Sequence, residues 1–243
     1  MTQIIVPAVT ESTAKPIQGN TLLAYLIDRS GSMYSCWTDT IGGLNADIES
    51  QKVNDDGKTE VVVYVFDHYM GSSELIKAYG GLLKDTPVFD SNDLTYIPRG
   101  GTPLYDCVGM MIREIEEREN VSENNPIFLV SIFTDGMNNH YQGYSADDVK
   151  MMVETCQGRG WTFTYFGANQ DAWVVGGHFG ISAGNTVSYA TNDMTQTMAV
   201  SSVARTVFVA EAKRRKLVDP GAMYGTKSFF ADAGQSADDY KSS

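Results

Sequence analysis

Positive charge is scarce in this chain. Eighteen Lys and Arg stand against thirty Asp and Glu, a formal net charge of −12 at pH 7. Affinity for nucleic acid rests on Lys and Arg neutralising phosphates, so a phosphate-backbone binder is excluded; an acidic surface instead favours solubility and attracts cations. Cysteine is also scarce. Cys36, Cys107 and Cys156 are odd in number, far apart and without a C-x-x-C pair, so they read as reduced thiols of a cytosolic protein. The histidines His68, His140 and His178 lack the short spacings of a zinc site and read as surface or turn residues. No apolar run exceeds strand length, so no membrane span is expected. The start, Met1-Thr2-Gln3-Ile4-Ile5-Val6-Pro7, has neither the basic nor the apolar region of a secretory signal. The glycines at Gly100-Gly101 and Gly176–Gly180 are not followed by the Lys-Ser/Thr of a P-loop, which argues against nucleotide binding.

What the chain does have is core. With 243 residues, 42% of them apolar and 11% aromatic, one large domain is favoured. Residues 1–19, rich in Thr, Pro and Gly, read as a loosely attached arm, 20–216 as the domain, and 217–243 as an extended or disordered tail. Phe229 and Phe230 are the exception in that tail, an aromatic pair that could dock on this domain or on a partner, with docking on the domain favoured.

Within the domain, strands alternate with helices. Apolar runs at 21–28, 61–66, 127–134 and 161–166 read as buried strands, 74–79 as an antiparallel edge strand hairpinned to the second, and 187–189 as a short last strand. Helical periodicity marks 37–52, where Ile41, Leu44 and Ile48 share a face, and 103–119, which opens on Pro103. Further helices are expected at 145–157, capped by Ser145, at 171–179 and at 194–216. This alternation predicts an α/β fold: a doubly wound, mostly parallel six-stranded sheet in order 3-2-1-4-5-6, flanked by helices.

Three segments carry the chemistry. Asp28-Arg29-Ser30-Gly31-Ser32 follows the first strand, placing one carboxylate and two alternating hydroxyls where ligands of open α/β sheets bind. Thr102 lies seventy residues beyond Ser32 in the glycine-rich loop Arg99–Asp106, just before a helix. Asp135 ends the run Ile127–Thr134 and is followed by Gly136, thirty-three residues beyond Thr102. Singly, the serines and Thr102 could be helix caps and Asp135-Gly136 a turn. Together, three hydroxyls and two carboxylates suit a hard cation held by oxygen alone.

This D-x-S-x-S, loop Thr and strand-end T-D-G series resembles the metal-ion-dependent adhesion site of von Willebrand factor type A (VWA) domains. The resemblance spans roughly residues 20–215, and all five motif positions match. It implies a Rossmann-like VWA fold and metal ligation by Asp28, Ser30, Ser32, Thr102 and Asp135, the carboxylates directly or through water. Mg²⁺ is expected, because octahedral, partly hydrated coordination matches few protein ligands; Mn²⁺ or Ca²⁺ can substitute. Neutral hydroxyls leave the ion electrophilic, and in the family a partner protein's Asp or Glu fills its open position. The expected function is therefore a non-enzymatic, metal-dependent protein-interaction module. The alternatives are an Mg²⁺-dependent phosphoryl-transfer enzyme and a structural subunit of a virion or large assembly. Against the enzyme, the acid/base carboxylate such sites carry two residues beyond the nucleophile is replaced by Ser30. Without a signal segment the resemblance points to bacterial or phage-encoded stand-alone members, in the cytoplasm or a virion.

Other segments are weaker. Asn169, Gln170 and Asp171 follow a strand and would lie on the rim of the same site, although capping of the next helix by Asn169 and Asp171 is the simpler reading. Asn138-Asn139-His140-Tyr141, just past Asp135, could line that rim. Lys213–Lys216 is a basic run at a helix C-terminus, where cations suit the dipole.

Overall fold

A computed structural model describes residues 14–93, 95–140, 142–168, 172–189, 194–232 and 234. Most of the N-terminal arm, Tyr141, the segment Asn169–Asp171 and the end of the tail lie outside the described residues. The six strands are β1 (Thr21–Asp28), β2 (Thr59–Tyr69), β3 (Ser72–Leu82), β4 (Ile127–Thr134), β5 (Thr162–Ala168) and β6 (Thr186–Tyr189). They form one sheet in the order β3-β2-β1-β4-β5-β6, parallel throughout except for the β2–β3 hairpin. This is the expected topology.

Both faces of the sheet are covered, so β1 is apolar at nearly every position rather than at alternate ones. Leu23, Tyr25 and Ile27 face one layer, together with α1 (Trp37–Lys52) and α5 (Met194–Val218). Leu22, Ala24 and Leu26 face the other, with α2 (Leu104–Asn120), α3 (Ala146–Gly158) and α4 (Ala172–His178). The connections leave β1 for β2 on one side and pass to β4 on the other, so the strand order reverses beside β1. A crevice opens at such a switch point, beyond the carboxyl ends of the strands.

Helix ends are set partly by local sequence and partly by distant residues. At α3 the Ser145 hydroxyl accepts the Asp148 N–H at 3.2 Å, and the Asp148 carboxylate accepts the Ser145 N–H at 2.8 Å, a capping box. Pro103 precedes α2 without capping it. Its cap comes from across the crevice, where Asn138 Oδ1 accepts the Tyr105 N–H at 3.0 Å. In the last turns of α5, Arg214 and Arg215 both pair with Glu211 at 2.8 Å.

The tail departs from expectation. α5 runs to Val218, and the described part of the segment beyond it is packed rather than extended or disordered: Tyr224, Phe229 and Phe230 are all buried. α6 (Phe229–Asp232) is held by Asn185, whose Oδ1 accepts the Phe229 N–H at 2.9 Å and whose Nδ2 donates to the Thr226 carbonyl at 2.8 Å. Two aromatic side chains, each worth about 1.5–3 kcal/mol when buried, outweigh the polar composition around them. The aromatic pair thus docks within the chain, Phe230 edge-on to Phe166.

Candidate metal centre

Asp28 is the last residue of β1, and Asp135 directly follows β4, the next strand in the sheet. Parallel pairing brings the two ends side by side. Asp28 is 0% exposed; its Oδ1 accepts the Ser30 N–H and its Oδ2 the Thr134 hydroxyl, both at 2.6 Å. From there a chain of oxygens runs outward. Ser30 Oγ lies 3.1 Å from Ser32 Oγ, and the Ser32 hydroxyl donates to Asp135 Oδ1 at 2.8 Å. Ser32 is exposed and Asp135 half-buried, so the far end of the chain opens to solvent.

Thr102 joins this group through its loop. The Gly31 N–H donates to the Gly100 carbonyl at 3.1 Å, and the Arg99 N–H to the Arg29 carbonyl at 2.8 Å. His68 and Gly101 exchange backbone bonds of 2.9 and 3.0 Å. This stitching demands glycine at position 100, where φ is 65° and any Cβ would collide with the His68 carbonyl oxygen. From the other side, Asn139 Oδ1 accepts the Thr102 N–H at 2.8 Å and the Asn139 N–H donates to the Thr102 carbonyl at 3.0 Å. Gly136 lets Thr102 approach, because a Cβ there would lie 3.1 Å from Thr102 Oγ1. The five residues singled out in the sequence therefore sit together at the rim of the sheet.

Several residues that position them were not foreseen. Arg29, inside the D-x-S-x-S loop, is fully buried; its Nη1 donates to the Thr95 carbonyl, and its Nη2 bonds Asp67 and Glu74, each at 3.2 Å. Arg99 completes the square, Nε to Asp67 at 2.7 Å and Nη2 to Glu74 at 2.6 Å. The square fastens the Thr102 loop to the Asp28 loop. Its one sequence signal is that Asp67 follows the apolar run of β2 as Asp28 ends that of β1. Asp106 is a second fastener: it accepts Ser73 Oγ and the Gln142 N–H at 2.8 Å, and the Gly143 and Tyr144 N–H groups at 2.9 Å. Burial would raise this carboxyl, but those donors outweigh it and hold it below its ordinary value. His68 and His140, far apart in sequence, stack with ring centroids 4.1 Å apart.

Arg29→Ala should leave Asp67 with Arg99 alone and loosen the Thr102 loop, which keeps its backbone bonds. The expected loss is about 1.5–3 kcal/mol, the range for hydrogen bonds to charged groups, read by urea melts. A variant as stable as wild type would show that Arg99 alone suffices.

No protein-family profile matches this sequence, and no curated protein sequence is significantly similar to it. Solved structures are similar in fold. Manganese-loaded TRAP protein of Plasmodium vivax superposes with TM-score 0.52 at 19% identity, covering 74% of this chain and 72% of that one. The pilus adhesin SpaC of Lactobacillus rhamnosus GG gives 0.58 at 12% identity, over 78% of this chain and 30% of the other. A von Willebrand factor type A protein from Catenulispora acidiphila gives 0.53 at 12%, over 77% and 43%. The fold is that of a VWA domain. The chain spans less than half the length of the last two structures, and also of the mussel byssus protein, at 46%.

In this VWA fold the rim group has an electrostatic imbalance. Burial pushes the Asp28 carboxyl up to about 7, against the pull of the Thr134 and Ser30 hydrogen bonds, and neighbouring Asp135 adds to the rise. Asp135 is raised as well, by burial, against the Ser32 hydroxyl. Among the described residues no Lys or Arg side chain pairs with either carboxylate. Nor do three or more His, Cys, Asp or Glu converge there on a metal position. The group is of another kind: two carboxylates and three hydroxyls, oxygen donors only. Uncompensated carboxylates beside neutral hydroxyls fit a hard divalent cation.

Proposed function

We propose that this chain is a non-enzymatic protein-interaction module whose rim group binds Mg²⁺, or Mn²⁺ or Ca²⁺ in its place, and through it a carboxylate of a partner protein. The observation that carries this reading is the hydrogen-bonded series in which buried Asp28 accepts the Ser30 N–H, Ser30 Oγ lies beside Ser32 Oγ, and the exposed Ser32 hydroxyl donates to Asp135, with Thr102 close by. Ser30, Ser32 and Thr102 would hold the ion through hydroxyls, and Asp28 and Asp135 would supply its counter-charge. A divalent ion balanced by only two carboxylates retains affinity for a further anion. Of the neighbours in fold, one is a pilus adhesin and another is manganese-loaded. Among the described residues no helix is long and apolar enough to cross a membrane.

The burial of Asp28 favours this reading over phosphoryl transfer. A nucleophilic carboxylate must reach the phosphorus, whereas both Asp28 oxygens accept hydrogen bonds beneath the surface. Purified protein is expected to show no Mg²⁺-dependent hydrolysis of ATP or phosphate esters. Turnover that vanishes in Asp28→Asn would overturn the non-enzymatic reading.

Calorimetric titration with Mg²⁺ and Mn²⁺ tests the ligand set. Thr102→Ala should weaken binding by about tenfold, one hydroxyl being replaceable by water at a cost near 1.4 kcal/mol. Equal affinities for wild type and Thr102→Ala would remove Thr102 from the set.

A further inference from the structure

We infer that the partner's carboxylate is presented between apolar side chains rather than within an acidic or polar run; this rests on the metal-dependent reading above. Beside the polar residues of the rim stand three exposed apolar side chains. Tyr34, two positions beyond Ser32, is 72% exposed, Met137, two beyond Asp135, is 69% exposed, and Met70 at the tip of the β2–β3 hairpin is 89% exposed. All three lie at the carboxyl end of the parallel strands, the end that carries Asp28 and Asp135.

Met70 shows that this exposure is built. It is the one described non-glycine residue with positive φ, at 51°, followed by Gly71 at 85°. A two-residue hairpin with both central residues at positive φ is satisfied most cheaply by Asn-Gly. Methionine there carries a backbone cost and packs against little, so neither turn chemistry nor the core accounts for it. The tip is also anchored, because Gln142 Nε2 donates to the Gly71 carbonyl at 2.7 Å while the Gln142 backbone N–H is held by Asp106. Asp106 stands four residues beyond Thr102, so one fastener fixes both the site loop and the hairpin tip. Flexible thioethers with a tyrosine form an adaptable apolar contact surface.

Charge narrows the occupant further. The rim's arginine, Arg99, is engaged by Asp67 and Glu74 and stacks on Tyr69 at 4.1 Å. A second acidic residue of the partner would find no unpaired cation there among the described residues, and the net charge of −12 would repel an acidic run. One carboxylate for the ion, with apolar flanks for Tyr34, Met70 and Met137, is the complementary surface.

The test uses the full chain with its methionine methyl groups carbon-13 labelled, titrated with three capped pentapeptides in Mg²⁺ and in EDTA. Their central triplets are Leu-Glu-Phe, Ser-Glu-Ser and Leu-Gln-Phe. Leu-Glu-Phe should bind about tenfold more tightly than Ser-Glu-Ser in Mg²⁺, the effect of roughly one buried apolar side chain, and should shift the Met70 and Met137 methyl signals. Leu-Gln-Phe, and Leu-Glu-Phe in EDTA, should bind far more weakly. Met70→Asn should cut the apolar preference severalfold while keeping Mg²⁺ affinity and melting no lower than wild type, because Asn suits the turn. Equal binding of the two acidic peptides, binding of neither by Mg²⁺-loaded protein, or a preference unchanged in Met70→Asn would overturn the inference and leave the metal site standing. Absence of Mg²⁺ binding by calorimetry would instead overturn the reading on which it rests.

Discussion

An Asp28→Asn protein in EDTA is expected to melt at or above the wild-type temperature and to gain nothing from added Mg²⁺ or Mn²⁺. In the metal-free state Asp28 is a fully buried carboxylate with no cationic partner among the described residues, so removing its charge removes a desolvation cost. Asn keeps an oxygen to accept the Ser30 N–H, and position 28 stands at the very end of β1 rather than within it. Ion binding reverses the comparison. At a free ion concentration a hundred times its Kd, wild type gains about 2.7 kcal/mol, which for a domain of this size raises Tm by about 5 °C or more. The variant, with half of the counter-charge gone, should show no such rise, and calorimetry should show no binding. Thermal melts with and without ion measure both effects; unchanged metal affinity in Asp28→Asn would sink the metal site whatever the melts showed.

Arg205→Ala is expected to cost more than any change at the rim. Arg205 on α5 is fully buried and ion-paired with buried Asp47 of α1. Its Nη2 donates to Ser131 Oγ at 2.8 Å, its guanidinium lies 4.8 Å from the centre of the Tyr25 ring, and the Tyr25 hydroxyl donates to Asp47 at 2.9 Å. The cluster ties both helices of one layer to β1 and β4. Removing the arginine strands a carboxylate in the core, a loss of about 3–5 kcal/mol, whereas replacing both charges with apolar side chains of similar volume is often neutral. Denaturant melts of Arg205→Ala beside the double variant Arg205→Met, Asp47→Leu should show a large loss in the first and recovery of most of it in the second. A loss below about 1 kcal/mol in Arg205→Ala would mean that the core admits water to Asp47.

The architecture was legible in the sequence because its signals are local. A parallel strand buried on both faces is a continuous apolar run, so Leu22–Ile27 and Ile127–Phe133 announce themselves. The 3-and-4 spacing of Ile41, Leu44 and Ile48 marks a buried helical face. Strand-end acids followed by hydroxyls and glycines singled out Asp28, Ser30, Ser32, Thr102 and Asp135, since the carboxyl ends of parallel strands are where such a sheet collects ligands.

The tertiary structure alone decided what holds those five residues in place and what surrounds them. The sequence assigns Arg29 no role, and only folding brings Asp67 and Glu74 to it, with Arg99 on the same two carboxylates. Asp106, His68, His140 and the two asparagines beyond Asp135 likewise take their roles from partners dozens of residues away. In the tail the sequence singled out the aromatic pair for docking, but only the fold supplies its partners, Asn185 and Phe166. Periodicity reports which face of an element is buried, but a hydrogen bond or ion pair depends on distance and angle. Those are set only when separate elements have packed.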